Sequence, residues 1–165
     1  MKLFNHKTGR LFLDMDGVLA DFDKAAVPMM DGMDPADFEA ARGSEEFWKR
    51  IHTNPNFFLD LDLMEDALEL YESVKHLRPV ILTGIPKAME GNANQKQEWS
   101  LRHFGKEQLV VCCRAKKKSD FCLPGDVIVD DRTVYKHYWE RKGGVYVVHK
   151  NAKNSLDQLR ELGVI

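Results

Sequence analysis

Short apolar runs recur along the chain, separated by longer stretches with helical spacing. Five of them stand out: Leu11 to Met15, Pro79 to Thr83, Leu109 to Cys113, Val127 to Val129 and Val145 to His149. They are rich in Val, Leu and Ile and alternate only weakly with polar residues, the pattern of strands covered on both faces. Between them, Met64, Ala67, Leu68, Tyr71, Val74 and Leu77 fall at helical intervals and predict a helix that turns this stripe toward a sheet. Asn92 to Phe104 is more polar, yet Trp99 and His103 give it a narrow inward face. Ser155 and Gln158 have capping-box spacing for a last helix that Gly163 ends. Helices alternating with buried strands imply right-handed crossovers and a parallel sheet. The expected fold is therefore α/β, a Rossmann-like parallel sheet of about five strands flanked by helices. In such sheets ligands bind outside the carboxyl ends of the strands.

One spacing breaks the rhythm. More than sixty residues separate the first run from the second, far more than a single crossover helix needs. Asp34 as cap, Pro35 at the first helical position and Gly43 beyond the end define one short helix there. Ser44 with Glu45 and Glu46 starts another. Residues 22–62 are thus expected to form a small helical cap, inserted into a core made of residues 1–21 and 63–165.

A chain of 165 residues with 44% hydrophobic content suffices for one compact domain with its own core. A net charge of −2 gives no basic field for long nucleic acids. The three cysteines, of which Cys112 and Cys113 are adjacent, fit neither a disulfide framework nor a zinc spacing and read as buried, reduced thiols. No run approaches the roughly 20 residues of a membrane span. The start, Met1-Lys2-Leu3-Phe4-Asn5-His6, lacks a signal peptide's apolar segment, so a cytoplasmic protein is expected. The histidines form no close ligand set.

Chemistry concentrates where the apolar runs end. Asp14 and Asp16 follow Leu11-Phe12-Leu13 and precede Gly17. A carboxylate pair at a strand's end can share a hard cation and leave one oxygen free to attack phosphorus. Glycine lets the backbone turn sharply there. The second run ends in Thr83-Gly84, a hydroxyl and an amide able to donate to a phosphoryl oxygen. Lys116, Lys117 and Lys118 follow the third run, and one of them pointing inward supplies a cation. The fourth run ends in Asp130-Asp131, which this fold brings beside the first pair.

This series resembles the four motifs of the haloacid dehalogenase-like phosphatases. Ala20-Asp21-Phe22, Asp130-Asp131-Arg132 and Asn56-Phe57-Phe58-Leu59-Asp60-Leu61 are similar to the 5'(3')-deoxyribonucleotidase branch. The resemblance spans nearly the whole chain. It implies Asp14, Asp16, Thr83 and Lys118 as catalytic residues, Lys118 being chosen by its place shortly before Gly125-Asp126. It implies a Mg2+ site made by the Asp14 carboxylate, the Asp16 backbone carbonyl and Asp130, with Asp131 orienting a water or Lys118. Substrate contacts would come from Thr83, Gly84 and Lys118, with Phe22 and Trp48 either against a nucleobase or filling the cap's core. A second aromatic pair that the branch carries early in the cap has no clear counterpart among Asp31 to Ala41, which leaves base and sugar selectivity open.

The expected function is a magnesium-dependent phosphomonoesterase that works through an aspartyl phosphate on Asp14 and acts on a small phosphorylated substrate, foremost a nucleoside monophosphate. Two alternatives stay open. One is a phosphatase of another phosphorylated metabolite or a nucleic-acid end, because the motifs recognise only the phosphoryl group. The other is a binding or regulatory module with the same fold. Neither the 5' or 3' preference nor the oligomeric state is legible.

Overall fold

The computed structural model describes residues 4–165; Met1 to Leu3, on which part of the amino-terminal reading falls, lie outside the described residues. A five-stranded parallel sheet forms the centre. It comprises β1 (Leu11–Leu13), β2 (Val80–Gly84), β3 (Val110–Cys113), β4 (Val127–Asp130) and β5 (Val145–Val148). Their spatial order is β3-β2-β1-β4-β5. The α/β parallel architecture expected from the apolar runs is the one found, with trimmed ends. Pro79 has no N–H to give a ladder. Leu109 is largely exposed, and Met15, though buried, leaves the strand so that its carbonyl accepts from the Leu19 and Ala20 amides at 2.8 and 2.9 Å.

Alternate side chains of each strand face opposite layers. Leu11, Leu13, Ile81, Val127, Val129 and Val147 pack into the larger core, with α4 (Ala67–Val74), α5 (Ala93–Phe104) and α7 (Ala152–Glu161). Phe12, Leu82 and Ile128 face the other way, onto Cys122 and Trp139. That smaller layer is made by a 3-10 helix (Ala115–Phe121) and by α6 (Lys136–Arg141).

The long interval between β1 and β2 holds α1 (Phe22–Ala26), a 3-10 turn, α2 (Pro35–Arg42) and α3 (Ser44–Ile51). Asp34 caps α2 by accepting from the Ala36 and Asp37 amides at 2.9 and 3.2 Å. Phe22, Phe47, Phe57 and Phe58 form an aromatic cluster inside this segment. The Trp99 indole donates to the Leu61 carbonyl at 2.7 Å and ties its end to α5.

Two helix readings change. Leu68 is half exposed, because α4 starts only at Ala67 and its inward face is Ala67, Leu70, Tyr71 and Val74. Ser155 and Gln158 make no capping box. Asn151 caps α7, its side chain accepting from the Asn154 amide at 2.8 Å. Ser155 is instead buried one turn inside, 2.8 Å from Nδ1 of His149. An earlier Asx cap took the place that the Ser-x-x-Gln spacing was assigned.

Candidate active site

Parallel pairing of β1 with β4 sets Leu13 beside Val129, so the next residues, Asp14 and Asp130, emerge together at the sheet's carboxyl edge. The Asp14 amide donates to the Val129 carbonyl at 2.9 Å and holds that register. Both carboxylates are buried. Lys118, carried in by the 3-10 helix after β3, lies 2.8 Å from Asp14 Oδ1 and 2.7 Å from Asp130 Oδ2. Of the three lysines in the cluster it is the buried one; Lys117 pairs with Asp120 at 3.3 Å and Lys116 is exposed.

Asp131 joins the group. One oxygen each of Asp14, Asp130 and Asp131 falls within 4.8 Å of the others. Gly17 makes this approach possible. It sits at φ +76°, and a Cβ there would collide with the Asp131 carboxylate. The glycine thus serves the sharp turn that its sequence context pointed to and, besides, the close approach of a neighbouring side chain.

Three carboxylates around one ammonium leave negative charge uncompensated. Burial pushes the Asp14 carboxyl up to about 7; Lys118 opposes this, and Asp130, Asp16 and Asp131 add to it. Burial, reinforced by Asp130, lifts Asp131 to about 6. Burial works against the Lys118 ammonium, yet Asp14 and Asp130 outweigh it and hold its pKa above the usual lysine value. Asp131 Oδ1 is buried without a hydrogen-bond partner. An all-oxygen, electron-rich set with an unpartnered oxygen fits a hard divalent cation.

The other aspartate of the first pair has a separate partner. Lys96 on α5 is 0% exposed, and its ammonium is held at 2.5 Å by Asp16 Oδ2, 2.8 Å by the Gly84 carbonyl and 3.0 Å by Thr83 Oγ1. It also lies 4.6 Å from the centre of the Phe58 ring. All three ammonium protons are therefore used. Because Thr83 Oγ1 accepts from Lys96, its own proton is free to point elsewhere, and Thr83 is set as a donor. Sequence reasoning missed Lys96, although a signal existed: it sits at helical spacing with Trp99, Ser100 and His103, on the inward stripe of α5.

These groups open into a cavity of about 530 Å³. Trp48, Phe58 and Glu39 line it from the inserted segment, and Ile85, Pro86 and Lys87 from the end of β2. Phe22 packs in the aromatic cluster instead, 6.1 Å from the Trp48 ring. Tyr146 on β5 also lines the cavity and was not singled out from the sequence; its hydroxyl donates to the Arg132 carbonyl at 2.6 Å.

A parallel sheet whose first and fourth strands end in paired aspartates, with a lysine between them, is the framework of a haloacid dehalogenase-type phosphatase, a hydrolase. The chain belongs to the family described as 5' nucleotidase, deoxy (pyrimidine), cytosolic type C protein, whose model matches residues 8–158. The "Putative 5'(3')-deoxyribonucleotidase" of Bordetella bronchiseptica is 30% identical over 143 residues, covering 75% of this chain and 74% of its own. The mitochondrial 5'(3')-deoxyribonucleotidase of Mus musculus is 25% identical over 143 residues, covering 74% of this chain and 64% of its own. A HAD-superfamily hydrolase from Ehrlichia chaffeensis superposes with a TM-score of 0.59 at 10% identity, over 98% of both chains, which shows the shared fold. Among the described residues no helix is long and apolar enough to cross a membrane.

Lys96→Met, which keeps the side chain's length and removes its charge, is expected to lower kcat by about 10²-fold, because Asp16 and the Thr83 hydroxyl lose their common anchor. Steady-state kinetics beside urea unfolding checks it. Loss of stability without loss of kcat in the folded variant would make Lys96 a structural residue alone.

Proposed function

We propose that the protein is a magnesium-dependent phosphomonoesterase acting on nucleoside monophosphates through an aspartyl phosphate. The observation that carries the reading is the buried Lys118 ammonium bridging Asp14 and Asp130, at 2.8 and 2.7 Å. It marks where the phosphoryl group's negative charge is received. Family membership and the names of the relatives support the nucleotide as substrate.

In this reading Asp14 attacks phosphorus and the bond to the leaving oxygen breaks. Asp16 protonates the departing alcohol. Lys96 occupies Asp16 Oδ2 and leaves Oδ1 without a partner, so we assign the proton transfers to Oδ1. Asp16 then takes a proton from the water that attacks the aspartyl phosphate, phosphate leaves, and Asp14 is regenerated. Thr83 and the Gly84 amide donate to phosphoryl oxygens, and Lys118 neutralises them. Asp14, Asp130 and the Asp16 carbonyl, with Asp131 beside them, would hold magnesium, which would supply further neutralisation of phosphoryl charge.

Residues 22–62 act as the cap over a core of residues 1–21 and 63–165, and Trp48 is the cap's aromatic contact for the base. We take the cytoplasm as the location, since the three cysteines are free thiols that suit a reducing compartment.

Asp14→Asn is expected to abolish turnover while the fold stands, because the near-isosteric amide does not attack phosphorus. Rapid mixing of wild type with substrate should trap an acid-stable, base-labile phosphoenzyme that the variant lacks. More than a few per cent residual activity would remove Asp14 from the nucleophile's role.

Magnesium should stabilise the protein most at high pH. With chelator present, the raised folded-state values of Asp14 and Asp131, about 7 and 6, mean that the folded protein holds protons the unfolded chain has released. Their contribution is full below about pH 4 and is lost as pH rises toward 7. The melting temperature in chelator is therefore expected to fall between pH 5 and 8, less steeply in Asp14→Asn, and magnesium should restore it. A pH profile unchanged by either magnesium or the substitution would contradict the site.

Trp48→Ala should weaken kcat/KM for nucleotides by about tenfold or more, since stacking contributes roughly 1–3 kcal/mol per base. Para-nitrophenyl phosphate should be spared. Equal losses on both substrates would place Trp48 in the cap's core.

A further inference from the structure

The cavity extends beyond its catalytic centre, and its walls lie on opposite sides of β1 in the strand order. One arm is bounded by the end of β2 and the inserted segment, with Trp48, Phe58, Pro86 and Lys87 in its lining. The other lies over β4, β5 and the start of α6, with Val134, Tyr135, Tyr138 and Tyr146, while Lys116 and Ser119 reach the same cavity from the 3-10 helix after β3. A nucleoside monophosphate whose base meets Trp48 uses the first arm. Nothing in phosphoryl transfer calls for the second.

Its composition is nonetheless that of a nucleotide-binding surface. Tyr135 and Tyr138 are 39% and 41% exposed, unlike the buried Trp139 beside them. Their rings lie 6.1 Å apart at an interplanar angle of 22°, stacked on one another, with the His137 ring 4.1 Å from that of Tyr138, so they form one aromatic patch in the cavity wall. The Tyr146 hydroxyl, bonded to the Arg132 carbonyl at 2.6 Å, fixes the turn from which α6 departs. Lys116 adds a cation, its neighbours being committed elsewhere, Lys117 to Asp120 and Lys118 to Asp14 and Asp130. Exposed aromatic rings and a cation lining one groove are how proteins hold single-stranded nucleic acid, the rings stacking on bases and the cation meeting phosphate.

We propose that this second arm receives a second nucleotide unit, so that the enzyme accepts the phosphorylated end of a short single-stranded oligonucleotide as well as a mononucleotide. The second base lies on Tyr135 and Tyr138, and the connecting phosphodiester lies by Lys116. This rests on the phosphomonoesterase reading above and leaves its chemistry unchanged: the same terminal phosphorus–oxygen bond breaks. A net charge of −2 gives no long-range attraction for a polymer, so the preference comes from contacts within the cavity and stops after the first units.

The test compares kcat/KM, at one ionic strength with magnesium, for dinucleotides phosphorylated at either end, the matching mononucleotides, the matching nucleoside 3',5'-bisphosphate and para-nitrophenyl phosphate. A dinucleotide should exceed its mononucleotide by about tenfold or more. That ratio should fall toward one in the double variant Tyr135→Ser, Tyr138→Ser, and by a smaller factor in Lys116→Ala. Because the ratio is taken within each protein, a partly folded variant still reports it. A wild-type ratio of one, with mononucleotide and para-nitrophenyl phosphate both turned over, overturns the second arm alone. A ratio that survives the double substitution also overturns it. So does a bisphosphate that matches the dinucleotide, since only the extra phosphate would then be read. No turnover of any substrate, para-nitrophenyl phosphate included, overturns the phosphatase reading and this inference with it.

Discussion

The Lys118 ammonium between Asp14 and Asp130 is the contact on which the active site depends. Parallel pairing of β1 and β4 forces two carboxylates out side by side at the buried edge of the sheet. Without a cation between them, two charged groups this close and this dry would repel and draw protons. The lysine arrives from the opposite half of the sheet, on the 3-10 helix that follows β3, so the site assembles only when both halves have packed. That same helix runs into Cys122, which packs in the smaller core on Phe12, Leu82 and Ile128, and this links hydrophobic burial directly to the position of the Lys118 ammonium.

A second buried lysine divides the work. Asp14 and Asp16 are two residues apart on one turn, yet each faces its own ammonium, Lys118 in the first case and Lys96 in the second. Separate partners are how two carboxylates in one site are given different tasks. Lys96 also joins Asp16 to Thr83 and to the end of β2, so these groups shift together or not at all. The Phe58 ring against Lys96 carries this anchor into the inserted segment.

Much of this arrangement was legible because it repeats a simple rule: an apolar run ends and polar chemistry begins. Asp14, Thr83 and Asp130 were found that way, each at the carboxyl end of a buried strand. Lys118 required more, since nothing in Lys116-Lys117-Lys118 itself says which side chain turns inward; the 3-10 geometry decides it. Lys96 escaped because a lysine on a mostly polar helix reads as solvated, and only its helical register with Trp99 and Ser100 argued otherwise. Ser155 misled for a local reason, a capping spacing that occurred one turn inside a helix already capped by Asn151. Asp131 lies closer to the Asp14 and Asp130 oxygens than its place after the strand end implied, because the glycine at position 17 leaves out a side chain that would keep it away.

The charged groups at the strand ends and the aromatic groups of the cavity wall come from different parts of the chain, and this separates what sequence can reveal. Phosphorus chemistry needs fixed residue types at strand ends, where backbone register leaves little freedom. Aromatic residues of the cavity wall come from α3 and α6, where exposure and orientation rather than type decide which of them reach the cavity. Phe22 and Trp48 look alike in sequence, yet one is packed among Phe47, Phe57 and Phe58 and the other lines the cavity. Tyr135 and Tyr138 look like ordinary surface residues of a short helix until the sheet order places them beyond β4, across the reaction centre from Trp48. The cavity wall in this fold is thus a property of the elements that surround the motifs, and a short helix turned by one position would change it while Asp14 and Asp130 stay where β1 and β4 put them.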